Sequence, residues 1–358
     1  MRLQVCDELV LRITSRTRRH TAAAASRSAS TASTDAAAAP SPPRPRYALV
    51  DIGANLTSEM YIGSYHGKSG VHEPDLAAVL DRAWDAGLER IFVTAGSLVE
   101  ANRALALVAG PLGGQKGRLR CTVGVHPTRC SEEFGDAPLR EHIARLWAAC
   151  ERGMATRSIV AIGECGLDYD RLEFCPAEIQ KRCFEAQFEL AERSGLPMFF
   201  HLRNAAEDFL EIVERNRARF VGGVVHSFDG TADVAARIVA MDLFIGINGC
   251  SLRSAESIEV VKTLPAERLL LETDAPWCDV RKSHAGWPLL VASGAPSPRR
   301  KVDKKKKRAA GAEAALVKGR NEPCELDVVL HVLAAARGEE PAALAAQILI
   351  NTRRCFGE

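Results

Sequence analysis

Residues 158–171 read SIVAIGECGLDYDR, and this stretch decides how the rest of the chain is understood. A β-branched apolar run stops on a carboxylate, Glu164, and Gly166, Asp168 and Asp170 follow at once. A run this short, ended by glycine and acids, predicts a buried strand that hands a carboxylate to a loop. The pattern recurs with a different final residue. LPMFF ends on His201, GGVV on His226, RLLLET on Asp274 and, upstream, RLRCTVGV on His126. Carboxylates and imidazoles at the ends of successive buried strands predict a hydrolytic metal site at the mouth of a barrel.

Working outward, YALVDIGANL predicts a first strand over 47–52, with Asp51, Gly53 and Asn55 at its end. HEPDLAAVLDRAWDAG then predicts a helix, with Pro74 early and Gly87 as its stop. ERIFVTAGS, LRCTVGVHP, SIVAIGE, PMFFH, GGVVHSF, LFIGING and RLLLETD supply seven more strands. Helical segments such as ANRALALVAG, residues 139–154 and AEDFLEIVERNRA fall between them. Strands alternating with helices, several as continuous apolar runs, imply a parallel sheet covered on both faces. The expected fold is α/β, a TIM-type (β/α)₈ barrel, whose active-site face is built by residues just after the strand C-termini. An open doubly wound sheet would not bring the ends of strands one, three, four, five, six and eight to one point.

Both ends of this core are flanked by different sequence. Residues 1–45 are rich in Arg, Ser and Ala and close in a Pro-rich linker. The segment reads either as an organellar transit peptide or as a low-complexity leader with no address. Mitochondrion or plastid would follow from the first, cytoplasm or nucleus from the second. The barrel is expected over 46–358, interrupted by a basic insertion loop at about 288–320 with a lysine run at its centre. That loop reads as a nucleic-acid contact, a nuclear-localisation patch or a solvated charge run. A helical tail closes the chain. The formal net charge of +2 announces no polyanionic partner through a global field. No apolar run approaches the roughly 18 to 20 residues of a membrane helix, so no membrane is expected as a partner. None of the 11 cysteines forms a C-x-x-C pair, and Cys121 and Cys183 lie inside apolar runs, which favours a reducing compartment. Cys165 sits beside carboxylates that disfavour its thiolate, so it reads as structural.

Glu164, His201, His226 and Asp274 form a nitrogen and carboxylate donor set with no thiolate, which suits Mg²⁺, Mn²⁺ or Zn²⁺. A carboxylate can bridge paired ions that clamp the attacking and leaving oxygens of a phosphoryl transfer. Glu164 and Asp274 are the candidate catalytic groups, with Asp274 able to ligate metal and to take the proton of a water.

The segments DIGANLTS, VTAGSL, VGVHPTRC, AIGECGLDYDR with FCP, LPMFFHLRNA, VVHSFDGT, FIGINGCS, LLLETDAPWCDVR with SHAG, and KGRNEPC carry a resemblance. Taken in order from Tyr47 to the C-terminus, they resemble the TatD family of metal-dependent deoxyribonucleases, in particular its eukaryotic branch. The resemblance implies a metallo-dependent hydrolase barrel that cleaves DNA phosphodiesters, commonly as a 3′→5′ exonuclease, in DNA repair or DNA degradation. It puts the family's metal ligands on Glu164, His201, His226 and Asp274. The family's strand-three histidine falls on His126, expected near the scissile phosphate. One departure stands out. Many members open with a His-x-His pair, whereas here the motif is Asp51-Ile52-Gly53-Ala54-Asn55. With Asp51 or Asn55 completing an oxygen donor set, one or two divalent ions are expected, Mg²⁺ over Zn²⁺. Arg129, Arg203, Asn204, Ser227 and Arg281 are candidate phosphate donors, each with a surface salt bridge or hydrogen bond as its alternative. DNA is the expected partner, with no obligate protein partner. Two other readings remain open on these residues: a related barrel hydrolase such as a D-aminoacyl-tRNA deacylase, and a non-catalytic module that kept the fold.

Overall fold

The computed structural model describes residues 44–113, 117–135, 138–296, 298–304 and 315–357. The leader assigned to 1–45 lies outside the described residues over 1–43, as does the centre of the lysine run. The chain divides at Arg46/Tyr47, and the second unit, Tyr47–Glu358, carries the strands and helices.

Strands β1 (Leu49–Ala54), β2 (Leu88–Val93), β3 (Leu119–Val123), β4 (Ile159–Asp168), β5 (Met198–Arg203), β6 (Gly223–His226), β7 (Phe244–Ile247) and β8 (Leu269–Leu271) pair in sequence order in one parallel sheet. Between them run α1 (Leu76–Asp85), α2 (Leu98–Ala109), the short α3 (Cys130–Phe134), α4 (Leu139–Ala155), α5 (Ala177–Ser194), α6 (Ala206–Arg215), α7 (Ala232–Ala240) and α8 (Ala255–Thr263). Closure comes from beyond β8. The amide of Asn55 donates to Ala275 O at 2.6 Å, and that of Asp274 to Gly53 O at 2.8 Å. The sheet is thus rolled into the expected (β/α)₈ barrel.

Strand alternation sorts the apolar side chains into two cores. Ile52, Phe92, Phe199, Val224 and Leu270 fill the barrel's interior, while Ile91, Val93, Ile162, Phe200 and Ile245 face the helices. The last helix, α11 (Pro341–Phe356), follows α10 (Leu326–Arg337) and contributes Phe356 to the inner core. Its ring meets Phe92 edge to face, with centroids 4.9 Å apart. Residues preceding β5, β6 and β7 surround it, so the aromatic plugs the N-terminal end of the barrel. The opposite end is therefore left for polar chemistry.

The described parts of the insertion hold regular structure. It contains α9 (Gly286–Ala292) and a small parallel pair, β9 (Lys301–Val302) with β10 (Leu316–Val317). Arg320, just after that pair, is fully buried. It bonds both carboxylate oxygens of Asp75 at 2.7 Å and Glu322 at 2.8 Å, tying the insertion's exit to the start of α1. No helix among the described residues is long and apolar enough to cross a membrane.

Candidate metal and catalytic site

Strand β4 runs four residues past Glu164, where the sequence predicts the strand to stop. Its pairing with β5 shifts register between Gly163 and Cys165, and the Glu164 amide instead donates to Ala95 O beyond β2 at 3.0 Å. A bulge of this kind re-aims one side chain out of the alternation. Here it turns Glu164 into the mouth of the barrel while the strand continues to Asp168. Gly166, at φ +150°, is what allows the continuation: a Cβ there would stand 1.9 Å from His201 O. Gly166 is registered with His201, and His201 with His226, so β4, β5 and β6 present their polar groups side by side.

Three imidazoles gather on one carboxylate oxygen. Glu164 Oε1 lies 2.8 Å from His201 Nδ1, 2.8 Å from His226 Nε2 and 3.5 Å from His126 Nε2. The candidate ligand atoms of His126, Glu164 and His201 all fall within 4.8 Å of one another, which brings His126 into the cluster itself. Burial alone would raise the Glu164 carboxyl, but the imidazoles of His226 and His126, with hydrogen bonds from His201 and His226, hold it well below its ordinary value. Burial and the neighbouring His201 push His126 down to about 3, so its ring is neutral. His126 Nδ1 accepts the Thr128 amide at 3.2 Å, so Nε2 carries the ring proton and turns it towards Glu164 Oε1, 3.5 Å away. His201 Nε2 is buried without a hydrogen-bond partner, with Asp168 Oδ2 at 3.4 Å. Glu164 stays ionised, and, against burial, the carboxylates around them lead His201 and His226 to hold protons that a divalent ion would displace, so this nitrogen and carboxylate donor set fits a metal.

Asp274 faces this cluster across a cavity of about 900 Å³ that both line. Its φ of +50°, matched by +49° at Ser227 and +49° at Cys278, marks abrupt backbone turns where β6 and β8 give out. Desolvation raises Asp274 to about 6; His226 opposes that shift, and Glu272 and Glu164 add to it. Asn55 holds Asp274 Oδ1 through its amide nitrogen at 2.8 Å, while its own oxygen accepts from Thr94 at 3.0 Å. Asn55 therefore shows the site a donor and acts as a support for Asp274. Asp51 corrects the sequence reading more sharply. Its oxygens are taken by the Thr273 amide at 2.9 Å, the Thr273 hydroxyl at 2.5 Å and the Gly53 amide at 3.2 Å. Burial pushes its carboxyl up to about 8. Asp51 thus clasps β1 to the residues after β8 and leaves the metal side of the mouth to others.

Among the candidate phosphate donors, Arg129, Arg203 and Ser227 line the cavity. Arg203 is paired with Asp229 at 2.7 Å and Arg129 with Glu132 at 3.0 Å. Asn204 lines a neighbouring cavity of about 680 Å³ and bonds Asp170, and Arg281 lines another cleft beyond β8. Neither reaches the central cavity, because each lies past the residue at which the chain turns away.

Sequence reasoning missed three groups. Glu272 is fully buried and receives the Ser227 amide at 2.6 Å, Asn248 Nδ2 at 3.0 Å and His226 Nδ1 at 3.3 Å, so it fixes the ring that faces Glu164. Its signal was its place two residues before Asp274, on the same face of the chain. Gly53 makes room for it, since a Cβ there would sit 2.5 Å from Glu272 Oε2. Asp168 stands behind His201, its Oδ2 3.4 Å from Nε2, and also holds Arg171 at 3.0 Å. Arg253, after β7, is exposed, lines the cavity and has no ion pair among the described residues. No polar residue ending β7 itself had drawn notice to that loop.

Comparison with known proteins shows the family. The family described as "TatD related DNase" matches residues 50–357. A fission-yeast protein named "Deoxyribonuclease Tat-D" is 38% identical over 308 residues, spanning 84% of this chain and 93% of the relative. An Erwinia billingiae protein named "3'-5' ssDNA/RNA exonuclease TatD" is 34% identical, spanning 86% of this chain and 98% of its own. The crystal structure of a TatD family hydrolase from Entamoeba histolytica superposes with a TM-score of 0.79 at 32% identity, covering 87% of this chain and 98% of that one.

Proposed function

Since this chain belongs to the TatD-related DNase family, we propose that it is a divalent-metal-dependent deoxyribonuclease shortening DNA from the 3′ end. Trimming of this kind serves repair and the clearance of fragmented DNA alike. The observation that carries the reading is the single oxygen of Glu164 shared by His201, His226 and His126. Glu164, His201, His226 and Asp274 would hold the ion, with His126 as a neutral neighbour. When bound, a divalent ion supplies Lewis acidity at a phosphoryl oxygen and brings the pKa of its water towards neutrality.

The chain's own groups do the rest. Asp274, poised at about 6, accepts the proton of the attacking water on its carboxylate, which Asn55 orients at Oδ1 and the Cys278 thiol at Oδ2. Glu272 keeps His226 in one orientation, and Asp168 does so for His201. Arg129, Arg203 and Arg253 stand around the cavity to orient phosphate oxygens, and the Ser227 hydroxyl adds a short donor. With Asp51 committed to Thr273, the carboxylates facing the Asp274 side are oxygen donors without a second imidazole pair, which favours Mg²⁺ there.

The test is digestion of 3′- and 5′-labelled single-stranded DNA by the full chain with Mg²⁺, Mn²⁺, Zn²⁺ or EDTA. The expected result is a ladder shortening from the 3′ end with Mg²⁺ or Mn²⁺, abolished by EDTA and lost at least about a thousandfold in Glu164→Gln. Intact DNA under every metal would overturn the reading. Equal activity in Mg²⁺ and Zn²⁺ would remove only the preference for Mg²⁺.

A further inference from the structure

The loop after β8 has two faces. Asp274, Trp277 and Cys278 line the central cavity, and the next residues, Asp279, Arg281 and Lys282, line an adjoining cleft of about 810 Å³. The far wall of that cleft is the insertion, from Arg299 to Asp303 and at Lys318. Two of its cations are spent internally. Lys301 meets Asp279 at 2.5 Å, and Arg299 is shared by Glu325 at 3.0 Å and Asp327 at 3.1 Å. Arg281, Lys282, Arg300 and Lys318 are exposed, and none has an ion pair among the described residues. Only Asp303 remains to offset them.

The geometry at the insertion's base holds these charges in place. The Leu316 amide donates to Arg300 O at 3.2 Å and the Lys318 amide to Val302 O at 2.8 Å, so both cations sit on paired backbone whose Leu316 and Val317 are buried. At the junction with the central cavity stands Trp277, 50% exposed. An exposed aromatic followed by a row of unpaired cations is how single-stranded nucleic acid is held without regard to sequence: each base has a face to stack, and each link has a phosphate.

We propose that this cleft is the track for the single strand beyond the scissile phosphate, with Trp277 stacking a base and Arg281, Arg300 and Lys318 contacting the phosphates that follow. The proposal rests on the nuclease reading and assigns the strand's path beyond the site to the cleft between the loop after β8 and the insertion.

The experiment compares the full chain with its Arg300→Gln/Lys318→Gln variant, both remote from the ligand cluster. Binding of a hydrolysis-resistant phosphorothioate oligothymidylate of about a dozen nucleotides is titrated with Mg²⁺ over a range of salt. Two lost contacts are expected to flatten the slope of log Kd against log salt by roughly 1.4, at about 0.7 per single-strand phosphate. Hydrolysis of bis(p-nitrophenyl) phosphate, a diester with no strand to track, is expected to stay unchanged. An unchanged slope would overturn the track, and so would a fall in small-diester hydrolysis parallel to the loss of binding. If the parent binds with the full slope, the variant binds with the flattened one and neither cleaves any diester, the track stands and the nuclease reading fails.

Discussion

Two buried carboxylates carry the argument at the scale of the residue, and they do opposite things. Glu272 accepts three bonds and supports His226 from behind, so Glu272→Gln, which cannot accept equally well, is expected to weaken divalent-metal affinity by about 10- to 100-fold. Isothermal titration with Mn²⁺ would measure this, and unchanged affinity would relieve Glu272 of the role. Asp51 gives its oxygens to Thr273 and Gly53, and its carboxyl is raised from 3.8 to about 8 by burial. Because the folded value lies above the unfolded one, its contribution to stability is complete below about pH 4. It is then lost, by about 1.4 kcal/mol per unit, as pH rises towards 8. Asp51→Asn is expected to remove that slope from the urea midpoint measured between pH 5 and 8; a retained slope would show that another group titrates. The sequence made His201, His226, Glu164 and Asp274 legible because each ends an apolar run. It hid the part played by Asp51, because an acid after a strand looks the same whether it faces the mouth or clasps the next segment.

Elements were legible in existence and order, less so in extent. All eight strands lie where the apolar runs put them, since a strand buried on both faces leaves little choice of residue. The overrun of β4 to Asp168 was hidden because it depends on a bulge and on the close approach of Gly166 to His201, both set by the neighbouring strand. The insertion expected as one loop holds α9 and the β9–β10 pair, whose two-residue strands are too short to leave a periodic signal. The sequence marks the tail as helical but not where it packs, and α11 sends Phe356 into the barrel's interior. Truncation of that plug, Phe356→Ala, is expected to cost about 3 kcal/mol by lost burial and the cavity left at the barrel's end. Chemical denaturation would read this directly. A loss under about 1 kcal/mol would mean that the end of the barrel is closed by other side chains.

At the scale of the molecule, the barrel brings together four strand ends that no local rule joins, and metal binding should register as global stability. An ion that binds only the folded state, present at about a hundred times its dissociation constant, is expected to add about 2.7 kcal/mol. Thermal unfolding with and without Mn²⁺ would show it, and Glu164→Gln should abolish the gain; an equal gain in the variant would place the ion elsewhere. Closure of the ring has a further consequence for how the protein is made. Asp274 reaches the mouth only when Thr273 is clasped by Asp51 and the Asp274 amide by Gly53 O, across more than 200 residues of chain. Synthesis delivers β1 first and β8 last of the eight strands, and closing so long a loop waits for both. A chain still emerging from the ribosome therefore carries Glu164, His201 and His226 without their counterpart.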